Sequence, residues 1–481
     1  MLFNSYSFIL LFLPITLAGF FVIAKHHREA ASFWLMCASL YFYGYWNPVY
    51  LPLLVGSIAV NYFLGQRIAK GGGRMLLPVS ICCNIGLLIY FKYANFFLSS
   101  VNEIAGTDYS LGRIILPLGI SFFTFTQIAF LVDTARGEVK EYNLVHYALF
   151  VTYFPHLIAG PVLHHKEMMP QFARESTYRF DYGNMAIGLT IFCIGLFKKT
   201  VLADGIAYYV APVFAPHAHP GMLEAWAGAL CYTFQLYFDF SGYSDMAIGL
   251  SRMFGVTLPL NFDSPYKSVN IIEFWRRWHM TLSRFLRDYL YIPLGGNRKG
   301  KGRRYFNLLA TMLIGGLWHG AGWTFLFWGG LHGIYLAGNH AWHALRRRAG
   351  QDPQAQLSFP MHALSVFFTF LLVTIAWVFF RSASLEGAIS LLKAMSGLTG
   401  TGGKVDHGAV NWIWISLLII WLTPNTQQIM RRFSPALDYR NQGESRLVWH
   451  PSRRWLAAHV LLALFGLISI SKVSEFIYFQ F

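Results

Sequence analysis

Charge is what this chain has least of. Only 12% of its 481 residues are Asp, Glu, Lys or Arg, about half the fraction found in soluble proteins. That leaves too little polar surface to cover a soluble globule of this length. Acid is scarcer than base: 22 Asp and Glu stand against 38 Lys and Arg, a formal net charge of +16. The basic residues fall in short clusters between apolar runs, without the stripe or groove that nucleic acid needs, so no nucleic-acid partner is expected. Cysteine is scarce too. Cys37, Cys82, Cys83, Cys193 and Cys231 lie in apolar segments without paired metal-ligand spacing. They read as buried thiols, with no disulfide framework and no metal site. No basic residue precedes the first apolar run, which therefore reads as a retained membrane helix, not a cleaved leader. Walker and Rossmann glycine signatures are missing. So are internal repeats, which argues against a transporter built from inverted halves.

What fills the chain is apolar: 55% hydrophobic and 17% aromatic residues, in stretches reaching the roughly 20 residues that cross a bilayer. The expected fold class is all-α, a polytopic membrane protein in a single domain over residues 1–481. About eleven transmembrane helices are expected, with re-entrant or interfacial helices beside them. The segments are Ser7–Ala24, Ala31–Trp46, Val49–Gly65, Met75–Tyr90, Ile114–Val132, Leu144–Leu163, Met185–Leu202, Glu224–Leu250, Thr311–Ile334, Met361–Phe380, Asn411–Ile429 and Leu456–Ile470. Several carry Gly, Pro or charge at depth and are expected to be broken. Lys25 to Arg28, and Arg67, Lys70 and Arg74, lie two spans apart and so on one side. The Lys/Arg-rich side is cytoplasmic by rule, which places the N-terminus in the periplasm or outside. Ala344–Pro360 and Arg431–Arg454 are read as cytoplasmic connections as well.

Three stretches carry the chemistry. Phe238–Leu250, FDFSGYSDMAIGL, puts Asp239 and Asp245 in a membrane-compatible run, with Gly242 as the expected break. A buried carboxylate must pair or protonate. The readings are a cap or an Arg partner from the next segment, an ion pathway, or a substrate contact.

Asn261–Arg304 comes second. Ile271, Phe274, Trp275, Trp278, Leu282, Phe285 and Tyr289 form one face of an expected interfacial helix over Ile271–Tyr291, with Arg276, Arg277, Arg284 and Arg287 around it. Glu273–Arg277 and Arg284–Asp288 are i,i+4 pairs. His279 would share a face with Trp275 and Arg276. The loop Gly295-Gly296-Asn297-Arg298-Lys299-Gly300-Lys301 suits a phosphorylated donor, though it matches no established phosphate-binding signature.

Thr311–Ile334, TMLIGGLWHGAGWTFLFWGGLHGI, is third, with His319 and His332 among seven glycines. Imidazoles at membrane depth point to function. On one straight helix the two would face about 220° apart, unless the glycines break it. The residues alone leave His319 open between a hydrogen-bonded core histidine and a catalytic base.

FKYANFF at Phe91–Phe97, LPLGISFFTF at Leu116–Phe125 and FPHLIAGPVL at Phe154–Leu163 add to a longer pattern. It continues through Gln235–Leu250, Glu273–Gly300, Gly315–Gly333, WLTPNTQQIM and the closing EFIYFQF. Together they resemble the membrane-bound O-acyltransferases, within them the branch that acetylates bacterial polysaccharide such as alginate. The core motifs span about 91–336, followed by C-terminal helices over 361–481.

The resemblance implies helices around a central funnel or pore, with His319 of Trp-His-Gly catalytic and His279 of Arg-Trp-His its companion. Trp318, Arg276, Arg277, Asn297, Asp239 and His332 are then substrate-site candidates. It also implies multi-pass insertion in the bacterial inner membrane and a periplasmic serine-nucleophile acetyltransferase as partner. That partner would deliver the group to an exported polysaccharide, with acetyl-CoA as the cytoplasmic donor and no bound cofactor. The alternatives are D-alanyl transfer to teichoic acid, or a proton or solute transporter using Asp239, Asp245 and the histidines.

Overall fold

The computed structural model describes the chain except residues 74, 140–142, 353–354, 438, 440–446 and 472–481. Arg74, EFIYFQF and part of Arg431–Arg454 thus lie outside the described residues. The chain is 73% helical, and no strand occurs among the described residues.

The helices that matter for the site are α1 (Ser7–Ala24), α2 (Arg28–Gly44), α3 (Pro48–Ala69), α4 (Leu76–Ala105), α5 (Ile120–Ala135), α6 (Leu144–Thr152), α7 (Tyr182–Ala207) and α8 (Met222–Met253). The short α9 (Ile271–Arg277) and α10 (Met280–Leu286) follow. After them come α11 (Gly300–His319), α12 (Trp323–Arg348), α13 (Phe359–Arg381), α14 (His407–Leu422) and α15 (Arg453–Ile468).

Five of these, α1, α3, α4, α7 and α13, are long and apolar enough to cross a bilayer on their own. Apolar side chains cover the surface as well as filling the core, and polar groups are buried among them. Leu10, Phe63, Val101, Phe367 and Leu461 face outward, while Asn61, Gln127, Asp239, His279, His319 and His332 are buried. An apolar outer belt around a core that also buries polar and charged groups is the signature of a chain whose solvent is lipid.

The glycines act as contact points between helices. On α7 and α8, Gly188 meets Gly249 and Gly195 meets Gly242 in two reciprocal pairs, seven residues apart on each helix. A Cβ on Gly195 would stand 2.6 Å from the Gly242 carbonyl oxygen, and one on Gly249 would stand 2.5 Å from that of Gly188. Small residues let membrane helices approach this closely. Gly242 is therefore no break, and α8 runs straight through it for 32 residues. The carboxylates on α8 also differ from expectation, because lysines and not arginines neutralise them. Lys199 pairs with Asp239 at 2.6 Å and Asp204 at 2.8 Å, and Lys198 pairs with Asp245 at 2.7 Å.

Other expectations change at the backbone. The run Ile114–Val132 is helical only from Ile120, and Leu144–Leu163 splits into α6 and a single turn, Phe154–Leu157. Pro155 enters at the start of that turn, where its missing N–H leaves no bond unmade. Cys37, Cys82 and Cys83 lie on the outer surface and not in the core, and all five thiols are free.

Candidate active site

The polar segment after α8 does not form one interfacial helix over Ile271–Tyr291. It breaks at His279, whose φ of 43° lies in the left-handed region, a conformation costing a non-glycine residue about 1–2 kcal/mol. Asn261 holds it there. The His279 Nδ1 bonds Asn261 Oδ1 at 3.1 Å, Thr281 Oγ1 donates to the same oxygen at 2.9 Å, and Met280 N–H donates to the Asn261 carbonyl at 3.0 Å. Strain maintained by surrounding contacts is a frequent mark of a functional position. The break carries His279 away from the helix face of Arg276 and Trp275, where an unbroken helix would have kept it. It sits fully buried against the Phe240 ring at 4.8 Å. Of the expected ion pairs, Glu273–Arg277 forms at 2.7 Å, whereas Arg284 pairs with Glu167 and Asp288 with Arg287.

The glycine-rich stretch breaks as well. α11 ends on His319 and α12 starts at Trp323, so His319 and His332 belong to different helices. The two helices touch at Gly316 and Gly329, where neither position has room for a Cβ. Trp328 stands between the imidazoles, its ring 5.1 Å from His319 and 5.0 Å from His332. His319 and His279 face each other with ring centroids 6.2 Å apart. Trp318 closes one side, stacked on Phe125 at 5.4 Å. Phe380 closes another, 5.2 Å from His319. The result is a buried histidine pair walled by aromatic rings.

Two cavities flank it. Trp46, Lys92, Leu116 to Phe122, Trp318 and His319 line a small one of about 110 Å³. Trp46 adjoins the Asn47-Pro48 turn, so this pocket opens opposite the face bearing Lys25–Arg28 and Arg67. The other measures about 1110 Å³ and is lined by Arg276, Arg277, Arg284, Arg287, Trp275, Met280, Thr281 and Met312 among others. Tyr289, next to these arginines, bonds Asp133 at 2.7 Å near the end of α5, which places the large cavity towards the basic face. Met312 lies seven residues, about 10 Å of helix rise, before His319. His279 is the neighbour of Met280 and Thr281. The histidine pair thus occupies the short interval between the cavities.

The structure brings together His319, His279, Trp318 and, through Trp328, His332, while Arg276 and Arg277 line the large cavity. Trp275 donates to His332 Nδ1 at 3.2 Å, linking that histidine to the large cavity's wall. Asn297 and Asp239 are not among the cavity walls. Asn297 accepts from the Tyr291 hydroxyl at 2.6 Å, and Asp239 belongs to the Lys199 pair. Among the described residues, no three His, Cys, Asp or Glu side chains converge in metal-binding geometry. Asn261 and Lys92 were not singled out from the sequence. A lysine within an apolar helix was the available signal for Lys92. Asn261 has no comparable local signature.

The model of the membrane-bound O-acyltransferase family matches residues 89–381, which covers both histidines and both cavities' principal walls. The chain belongs to that family. Over its full length this acyltransferase is 42% identical to a protein of Helicobacter pylori named "Peptidoglycan O-acetyltransferase", covering 98% of that protein. It is 39% identical, end to end in both chains, to one of Pseudomonas putida named "Probable alginate O-acetylase AlgI". A "Teichoic acid D-alanyltransferase" of Streptococcus thermophilus is 31% identical over 55% of this chain and 68% of its own. The acyltransferase is thus a helical membrane protein of a group-transfer family, and the resemblance read from its motifs holds.

Proposed function

We propose that the acyltransferase moves an acetyl group from a cytoplasmic thioester, acetyl-CoA, to a hydroxyl on the far side of the bacterial inner membrane, for O-acetylation of an exported glycan. One observation carries this reading. A buried histidine pair lies between a large arginine-lined cavity towards the basic face and a small pocket opening to the other.

The arginines draw in the donor's phosphates, and the acyl end enters past Met280 and Met312. The acceptor hydroxyl comes from the small pocket. His319 takes its proton as the oxygen attacks the acyl carbonyl. The carbon–sulfur bond breaks, and the thiolate leaves with that proton on the cytoplasmic side. His279, oriented by Asn261, faces the same point and stabilises the charge that develops there. The acceptor hydroxyl belongs to a periplasmic serine-nucleophile protein, which then loads the polymer. An alginate-like chain is the leading acceptor, and peptidoglycan is the second, supported by the relatives' names. Full-length identity to the acetylating relatives favours acetyl over D-alanyl.

The test uses membrane vesicles of the producing cell, given radiolabelled acetyl-CoA and followed by label in the glycan fraction. His319→Ala should abolish incorporation at unchanged protein abundance, and His279→Ala should reduce it by about 100-fold or more. Full incorporation with His319→Ala would rule out the base assignment.

A further inference from the structure

The FKY sequence in the middle of α4 has so far no part in the reaction. α4 is not uniform: Ile89–Tyr93 forms a π-turn, a feature that collects at functional sites because it shifts side chains out of helical register. Here it directs two neighbouring side chains onto α11. The Lys92 ammonium donates to the Trp318 carbonyl at 2.6 Å and the His319 carbonyl at 3.2 Å. The Tyr93 hydroxyl donates to the Leu317 carbonyl at 2.6 Å. A helix leaves its last four carbonyls without intrahelical partners. In α11 these belong to Gly316, Leu317, Trp318 and His319. Gly320 N–H supplies the first, at 3.4 Å, and the π-turn of α4 supplies the other three.

This arrangement is specific to its place. α11 ends inside the protein at membrane depth, where unmet carbonyls are costly. The C-terminal end of a helix also carries partial negative charge, which suits a cation. Lys92 further reaches Ser121 Oγ on α5 at 3.4 Å, and it lines the small pocket beside His319. The ammonium therefore joins three elements at the point where the imidazole enters the pocket.

We propose that Lys92 and Tyr93 are positioning residues for His319, holding the last carbonyls of its helix so that the imidazole keeps a fixed direction into the acceptor pocket. The proposal rests on His319 acting as the base. Neither residue need touch the substrate for this role.

The same vesicle assay tests it, with acetyl-CoA varied and rates scaled to protein abundance. Lys92→Met removes the charge and the donors while keeping an unbranched side chain, and scaling to protein abundance separates any loss of folded protein from a loss of rate. It should lower the maximal rate about 100-fold, the scale of a misplaced catalytic group, with the acetyl-CoA KM within about twofold. Lys92→Arg keeps donors for both carbonyls and should recover most of the rate, while Tyr93→Phe should cost about tenfold. A normal rate with Lys92→Met, a change confined to KM, or Lys92→Arg as inactive as Lys92→Met would each overturn the proposal. His319→Ala separates the two claims. If it is inactive while Lys92→Met is normal, the clamp alone fails; if it is active, the base assignment fails.

Discussion

At the scale of single residues, the site depends on orientation as much as on identity. An imidazole works as base or donor only in the right tautomer, and the hydrogen bond on its other nitrogen selects that tautomer. For His279 that bond goes to Asn261. Replacing Asn261 with Ala should free the ring and remove the support of its left-handed backbone. A fall in transfer rate of up to about 100-fold is expected, read as label incorporation per unit of protein. A rate within threefold of the wild type would show that Asn261 serves the fold alone.

The helices set how near those residues can come. α7 and α8 pack backbone to backbone at Gly188–Gly249 and Gly195–Gly242, and a side chain there would push them apart. Gly249→Val should destabilise the purified protein by about 1–3 kcal/mol, seen as a lower melting temperature in detergent. Gly86→Val is the control, since nothing lies within 4 Å of that position, and its melting temperature should not move. The same helix pair holds Lys199 between Asp204 and Asp239. Lys199→Met leaves two buried carboxylates without their cation and should cost about 3–5 kcal/mol. Adding Asp239→Asn should recover part of that loss in the same melting experiment. No recovery would show that the carboxylates are not the source of the penalty.

For the whole molecule, the proposed transfer takes its direction from the division between an arginine-lined cavity and a small opposite pocket. Arg276 lines the large cavity without belonging to the histidine pair. Arg276→Gln should raise the acetyl-CoA KM by about tenfold, the worth of one charge-assisted contact, with little change in maximal rate. It should also flatten the dependence of KM on ionic strength, because screening acts on the charge removed. An unchanged KM would place the donor elsewhere.

Composition and hydropathy pattern are enough to set the class of this protein. Scarce charge and long apolar runs require a helical chain in lipid, since only internal hydrogen bonding satisfies a backbone there. The resemblance of its motifs to the family marked His319 and His279, whereas the residues alone left His319 open between a core histidine and a base. How these parts meet is a matter of packing between segments. Apolar periodicity describes one helix against its surroundings, so it continued the helix through His279, where Asn261 from the preceding irregular segment supports the break. Composition marked Gly242 as a break, because a glycine's need for close approach becomes visible only when Gly195 lies opposite. Lys92 is one charge in an apolar helix until the end of α11 arrives beside it with three carbonyls to satisfy. Each of these outcomes depends on two separate segments, and neither segment carries the other's geometry.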